Sequence, residues 1–172
     1  MTIDLDKVRQ KVQYVRSQMR DLEQFLSMDE RTFLEDALRA PAAARMIQVA
    51  LEASFDLCAH IIAQEGWGLP KSYGEVVLVA VERGLLPPEL KDSYLQMARF
   101  RDRLVYLCDL VKEGESLQFI KDHLNELAPL ITAVVERYLK PPYPDSGRSE
   151  HYTEALRQQR CGSQQPNKRD KR

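Results

Sequence analysis

Apolar residues recur along this chain at alternating steps of three and four, the spacing of helices with one buried face. Leu5, Val8, Val12, Val15, Met19, Leu22 and Leu26 form a stripe as narrow as a coiled-coil seam, which predicts a first helix ending near Met28. Asp29 can cap a short helix through Leu38, its carboxylate accepting from the free N–H groups of the first turn. Pro41 falls either in the first turn of the next helix or at a kink before it. Met46, Ile47, Ala50, Leu51, Ser54, Phe55, Cys58, Ile61 and Ile62 then give a wider apolar face, predicting a central helix stopped at Gly66.

Ser72 can cap a helix from Tyr73 to about Arg83, ended by Gly84. Pro87 and Pro88 open a long helix with the seam Leu90, Tyr94, Met97, Arg101, Leu104, Cys108 and Val111, and Gly114 is its expected stop. A last helix from Ser116 carries Leu117, Ile120, Leu124, Leu127, Ile131, Val134 and Tyr138, and Pro129 should kink or split it. No strand alternation competes. The expectation is an all-α, up-and-down bundle of about five helices.

Composition narrows this picture. At 172 residues the chain is one domain with at most a tail. Helical patterning stops at Lys140, so residues 1–140 are the expected domain. Residues 141–172 begin with Pro141, Pro142 and Pro144 and hold seven Lys or Arg against four Asp or Glu, the pattern of a disordered, solvated tail. A net charge of −1 gives no global attraction to nucleic acid or acidic membranes, though a small RNA-contact surface remains compatible with it. No apolar run reaches about 18 residues, so no membrane span is expected. Cys58, Cys108 and Cys161 have no CxxC spacing, and Glu23, Asp29, Glu30, Glu35 and Asp36 form no convincing ligand set. Neither metal nor cofactor is therefore expected, and the setting is read as the reducing cytoplasm. Lys7, Arg9, Lys11, Arg16 and Arg20 read as the solvated face of the first helix.

Arg99 to Asp109 does not fit so blandly. It places three arginines and two aspartates inside an apolar helical segment, and Arg101 falls on the apolar stripe with Met97, Leu104 and Cys108. An unpaired buried cation is very costly, so Arg101 must pair with a carboxylate, snorkel outward, or face a cleft.

The run Arg101-Asp102-Arg103-Leu104-Val105-Tyr106-Leu107-Cys108 resembles the Arg-x4-His-x-Tyr motif of HepT-like proteins in the HEPN superfamily. Asp56, His60, Ile61, Ile62 and Glu65, Ser72-Tyr73, Gly84-Leu85-Leu86-Pro87 and Met97-Ala98-Arg99-Phe100 also follow that family's pattern, and the likeness spans about residues 1 to 140. The resemblance implies a homodimeric, metal-independent toxin ribonuclease whose partner is a minimal nucleotidyltransferase antitoxin. It places Arg101 on the catalytic arginine and Asp102 on a polar position usually held by asparagine. Tyr106 stands where the catalytic histidine would be. Cys108 stands where the family has the tyrosine that the partner modifies with AMP units.

These departures bear on the chemistry. Metal-free RNA cleavage needs the 2′-hydroxyl deprotonated as it attacks phosphorus, and histidine suits this because it titrates near neutrality. A tyrosine hydroxyl has a reference pKa of about 10 and is protonated at pH 7. To serve as base it would need a large downward shift, which flanking Asp102 and Asp109 would oppose. Arginine in such a site can still bind phosphate. His60 reads as a core histidine, His123 as an exposed one and His151 as part of the tail, none at motif spacing from Arg101. Tyr106 is also a weak candidate for a relocated modification site, the plainer reading being an exposed aromatic. Two functional readings follow: a toxin component with impaired cleavage, or a non-catalytic helical dimer that binds RNA or a nucleotidyltransferase. A purely structural adaptor is the third.

Overall fold

The computed structural model describes residues 3–107 and 110–140, and these form seven α-helices with no strand among them. In chain order the helices are α1 (Leu5–Glu23), α2 (Glu30–Leu34), α3 (Arg39–Gln64), α4 (Tyr73–Glu82), α5 (Lys91–Tyr106), α6 (Glu113–His123) and α7 (Leu127–Val134). The expected all-α bundle is what the chain forms, and its axis is α3, which packs against α1, α4, α5 and α6. Phe55, Leu57, Cys58, Ile61 and Ile62 of α3 are fully buried, and burial pushes the Cys58 thiol up to about 12. Ser54, also buried, donates to the Ala50 carbonyl at 2.7 Å, so its hydroxyl is satisfied within the helix. By length and composition α3 could cross a membrane, but its apolar face is the core of this bundle.

The predicted seam of α1 is present, with Val8, Val12, Val15 and Leu22 buried, although Leu5 is exposed. The helix ends at Glu23 rather than Met28, because Phe25 turns inward to meet Phe33 edge-on at 5.8 Å. Asp29 caps α2 by accepting from the Thr32 N–H at 2.9 Å. That helix stops at Leu34, short of Leu38, where the Asp36 carboxylate accepts from the Leu38 N–H at 2.9 Å and turns the chain. Pro41 lies in the first turn of α3, one of its two expected places.

Gly66 ends α3 and Gly84 ends α4 through the same device. Each has a left-handed φ, +68° and +65°, which lets the Trp67 and Leu85 N–H groups reach back to the Ile62 and Ala80 carbonyls. Ser72 caps α4 as expected, accepting from the Glu75 N–H at 3.2 Å.

The long helix opened by Pro87 and Pro88 begins with a 3₁₀ turn and ends at Tyr106, not at Gly114. Leu107 leaves helical geometry (φ −135°, ψ 38°) and α6 begins at Glu113. Glu115 explains this break. Its carboxylate accepts from the Lys112 N–H at 3.3 Å and from both terminal nitrogens of Arg103 at 2.5 and 3.1 Å. It thus caps the new helix and ties it to the old one. Val111 therefore does not continue the α5 seam, and Gly114 sits in the first turn of α6. Pro129 splits the last predicted helix, as expected: a 3₁₀ turn over Leu124–Glu126 separates α6 from α7, because the proline ring and missing N–H disallow the preceding α-helical bonds. Cys108, Asp109 and the 141–172 tail lie outside the described residues.

Candidate functional site

Arg101 projects from the middle of α5 toward α3, where its Nη2 and Nε both donate to the same Glu52 oxygen at 2.7 and 3.0 Å. Gln48, one turn before Glu52, donates to that oxygen at 3.0 Å. The Arg101 Nη1 donates to Asp102 at 3.0 Å. With 17% of its side chain exposed against 26% for Glu52, the arginine is neither snorkelling nor unpaired. It is the carboxylate-paired, cleft-facing case of the sequence reading. Burial opposes its charge, but the bonds to Glu52 and Asp102 outweigh burial and hold the guanidinium firmly protonated, with a smaller contribution from Tyr106. Burial likewise opposes the Glu52 charge, yet bonds from Gln48 and Arg101 hold that carboxyl below its usual range.

Tyr73, the first residue of α4, lies over the guanidinium with its ring centre 5.0 Å from the arginine Cζ. Its hydroxyl donates to Asp56 at 2.8 Å, and its ring packs 5.3 Å from Phe55. Burial, that bond and the Asp56 charge push the Tyr73 hydroxyl well above the ordinary tyrosine range. The guanidinium is therefore fixed from below by Glu52 and from one face by Tyr73. On its remaining side is an open cleft of about 440 Å³, whose lining includes Asp56, Lys71, Tyr73, Arg101, Asp102 and Tyr106.

Arg101, Asp102 and Tyr106 are thus brought to one cleft, and Asp102 and Tyr106 share a helix face because they are four residues apart. Tyr106 ends α5 with 74% of its surface exposed. Cys108, the fourth expected site residue, lies outside the described residues. Among the described residues, no histidine lines the cleft. His60 faces the α1 side, where burial, then Lys11 and Lys7, push it below the ordinary histidine range; its Nε2 is buried without a hydrogen-bond partner, so it is not the satisfied core histidine expected. His123 is half-buried rather than exposed, because the turn after α6 folds it onto α5. There its Nδ1 meets Glu126 at 2.7 Å and Ser93 at 3.3 Å. This is not a catalytic triad, because serine and acid meet the same ring nitrogen, whereas a triad uses both.

Glu52 and Tyr73 were not singled out from the sequence as site residues. One signal pointed to Glu52. It and Asp56 are the only acids in α3, one turn apart on an otherwise apolar helix. Chemically, the cleft offers a fixed guanidinium, one lysine, two aspartates and an exposed phenol. That set can bind an anion, but it includes no imidazole to serve as a base.

Comparison with known proteins agrees with the motif. The sequence matches the family described as "Ribonuclease HepT-like" over residues 15–134. Among solved structures it is similar to a tri-AMPylated HEPN toxin of Shewanella oneidensis in complex with MNT antitoxin (19% identity, 79% of this chain and 99% of that one, TM-score 0.68). It is also similar to a toxin–antitoxin with AMP-PNP (19%, 78% and 99%, 0.66) and to YutE of Bacillus subtilis, a cytosolic protein of unknown function (21%, 81% and 96%, 0.66). At these identities the likeness to the solved structures is one of fold. No curated protein matches the sequence significantly. The family match covers well over half of the chain, and this protein belongs to the HepT-like ribonuclease family.

Proposed function

We propose that this chain is the HepT-like component of a toxin–antitoxin pair, with its phosphate-binding arginine kept and its cleavage chemistry impaired. The observation that carries the reading is the Arg101 cleft. An arginine held by a buried-side glutamate and open on the other side is built to meet an anionic ligand, and the residue beside it at the base position is Tyr106. General acid–base catalysis is worth roughly 10² to 10⁴ in rate, so a site without its base retains binding far better than turnover.

The partner is a minimal nucleotidyltransferase, in keeping with the complexes in which similar folds occur. The active assembly is a homodimer, in which two copies of the cleft form one RNA groove. It works in the cytoplasm, where a buried, unpaired Cys58 is at home.

The test uses purified native chain and Arg101→Ala with single-stranded RNA in EDTA, together with light scattering for the oligomer. The native dimer retards RNA without cutting it, and Arg101→Ala does not retard it. Equal retardation by both, or a monomer, overturns the reading of the groove. Arg101-dependent cleavage by the native chain overturns the impairment. Coexpression with the adjacent transferase gives a stable complex. Mass spectrometry of that complex decides the second reading, favoured only by the exposure of Tyr106, in which this residue accepts AMP. An unmodified Tyr106 removes it.

A further inference from the structure

Asp102 stands out once the charges of the cleft are counted. Its lining holds two cations, Arg101 and Lys71, and two anions, Asp56 and Asp102. Glu52 adds a third carboxylate bonded to Arg101. For a phosphate-binding site this is a poor balance, because the like charges repel an incoming phosphodiester.

The carboxylates are not equivalent. Glu52 takes Nε and Nη2 from the α3 side and does not line the cleft, so it positions the guanidinium without blocking it. Asp102 takes Nη1 on the cleft side, with 53% of its side chain exposed. Residues adjacent in a helix do not share a face. This contact therefore exists because the long arginine side chain bends across to Asp102. What Asp102 holds is an N–H that a phosphate oxygen would need.

We propose that Asp102 competes with RNA phosphate for the cleft-side N–H of Arg101 and so sets the affinity of the cleft. This rests on the reading of Arg101 as the phosphate-binding residue. Exposed ion pairs are weak, so the competition lowers affinity without abolishing it. A neutral side chain of the same shape at 102 would free the arginine and remove one repelling charge. The two effects together make RNA binding about tenfold tighter at low salt.

The measurement is fluorescence anisotropy of a labelled single-stranded RNA decamer titrated with full-length native chain, Asp102→Asn, Arg101→Gln and the double variant. Asp21→Asn, an exposed position on α1 outside the cleft lining, controls for net charge alone. The expected result is about tenfold tighter binding by Asp102→Asn, a gain that raised salt diminishes and that vanishes in the double variant. A gain no larger than that of Asp21→Asn, with native binding still dependent on Arg101, overturns the competition and leaves the phosphate reading standing. Identical binding by native chain and Arg101→Gln overturns both. Thermal melting of each variant confirms that all remain folded, and an unfolded Asp102→Asn is replaced by Asp102→Ser, which is scored by the same criteria.

Discussion

Arg101 and Arg103 lie two residues apart on α5, and each is bonded to a glutamate on another helix, yet their surroundings differ. Arg103 meets both oxygens of Glu115 with its two terminal nitrogens, and this closes the turn between α5 and α6. Its side chain is 40% exposed, and it does not line the cleft that Arg101 faces. Arg101 uses two nitrogens on one oxygen of Glu52, leaves part of its guanidinium toward a cleft, and lies beneath an aromatic ring. The lesson is that pairing alone does not separate an arginine that ties two helices together from one that faces a cleft. What separates them is whether the guanidinium is fixed from behind with a face left open.

The sharpest way to break this contrast is to remove the anchor of each arginine. Glu52→Ala should cost about 1–3 kcal/mol of unfolding free energy, because it leaves a mostly buried guanidinium short of its main acceptor. It should also weaken RNA binding, since the arginine is no longer held. A double-mutant cycle with Arg101→Ala, followed by denaturant unfolding, checks that the loss is shared between the two residues. Additive losses would mean that the pair is not coupled.

Glu115→Ala should cost less, about 0.2–1 kcal/mol, because the Arg103 pair is screened by solvent. RNA affinity should stay unchanged, and hydrogen exchange at the start of α6 should quicken. A loss of RNA binding equal to that of Glu52→Ala would erase the distinction between the two arginines.

Acid gives the gentlest perturbation, and it separates two groups by pH. His60 is pushed down in the folded protein, so the unfolded chain binds the proton more readily. Its contribution is intact above about pH 6.5 and is lost as pH falls below that value. Glu52 and Glu115 are also held down, but their stabilisation is intact above the ordinary carboxyl value of 4.5 and is lost as pH falls further. Urea midpoints measured from pH 7.5 to 3.5 should therefore decline in two stages. His60→Phe should flatten the first stage alone, and an unaltered first stage in that variant would assign it to another group.

Much of this was legible in the sequence. The caps at Asp29 and Ser72, the stops at Gly66 and Gly84 and the seam Val8–Val12–Val15–Leu22 all rest on local chemistry, which a sequence displays directly. The position of Arg101 on an apolar stripe announced a partner or a cleft. The identity of that partner did not follow, because Glu52 lies 49 residues away and only tertiary packing brings it near. The end of α5 was missed for a related reason. Val111 keeps the helical register, while the break depends on Glu115 reaching both Lys112 and Arg103. His123 went astray because its burial follows from a turn that the periodicity does not reveal.

The proposed function has the cleft keep its phosphate anchor and lack only a base. The most direct test is the single-turnover cleavage of RNA in EDTA by native chain, Tyr106→His, and Tyr106→His combined with Arg101→Ala. Tyr106→His should cut at least about 10²-fold faster than the native chain, and removing Arg101 should abolish the gain. Native cleavage that depends on Arg101 and is unchanged in Tyr106→His would contradict it.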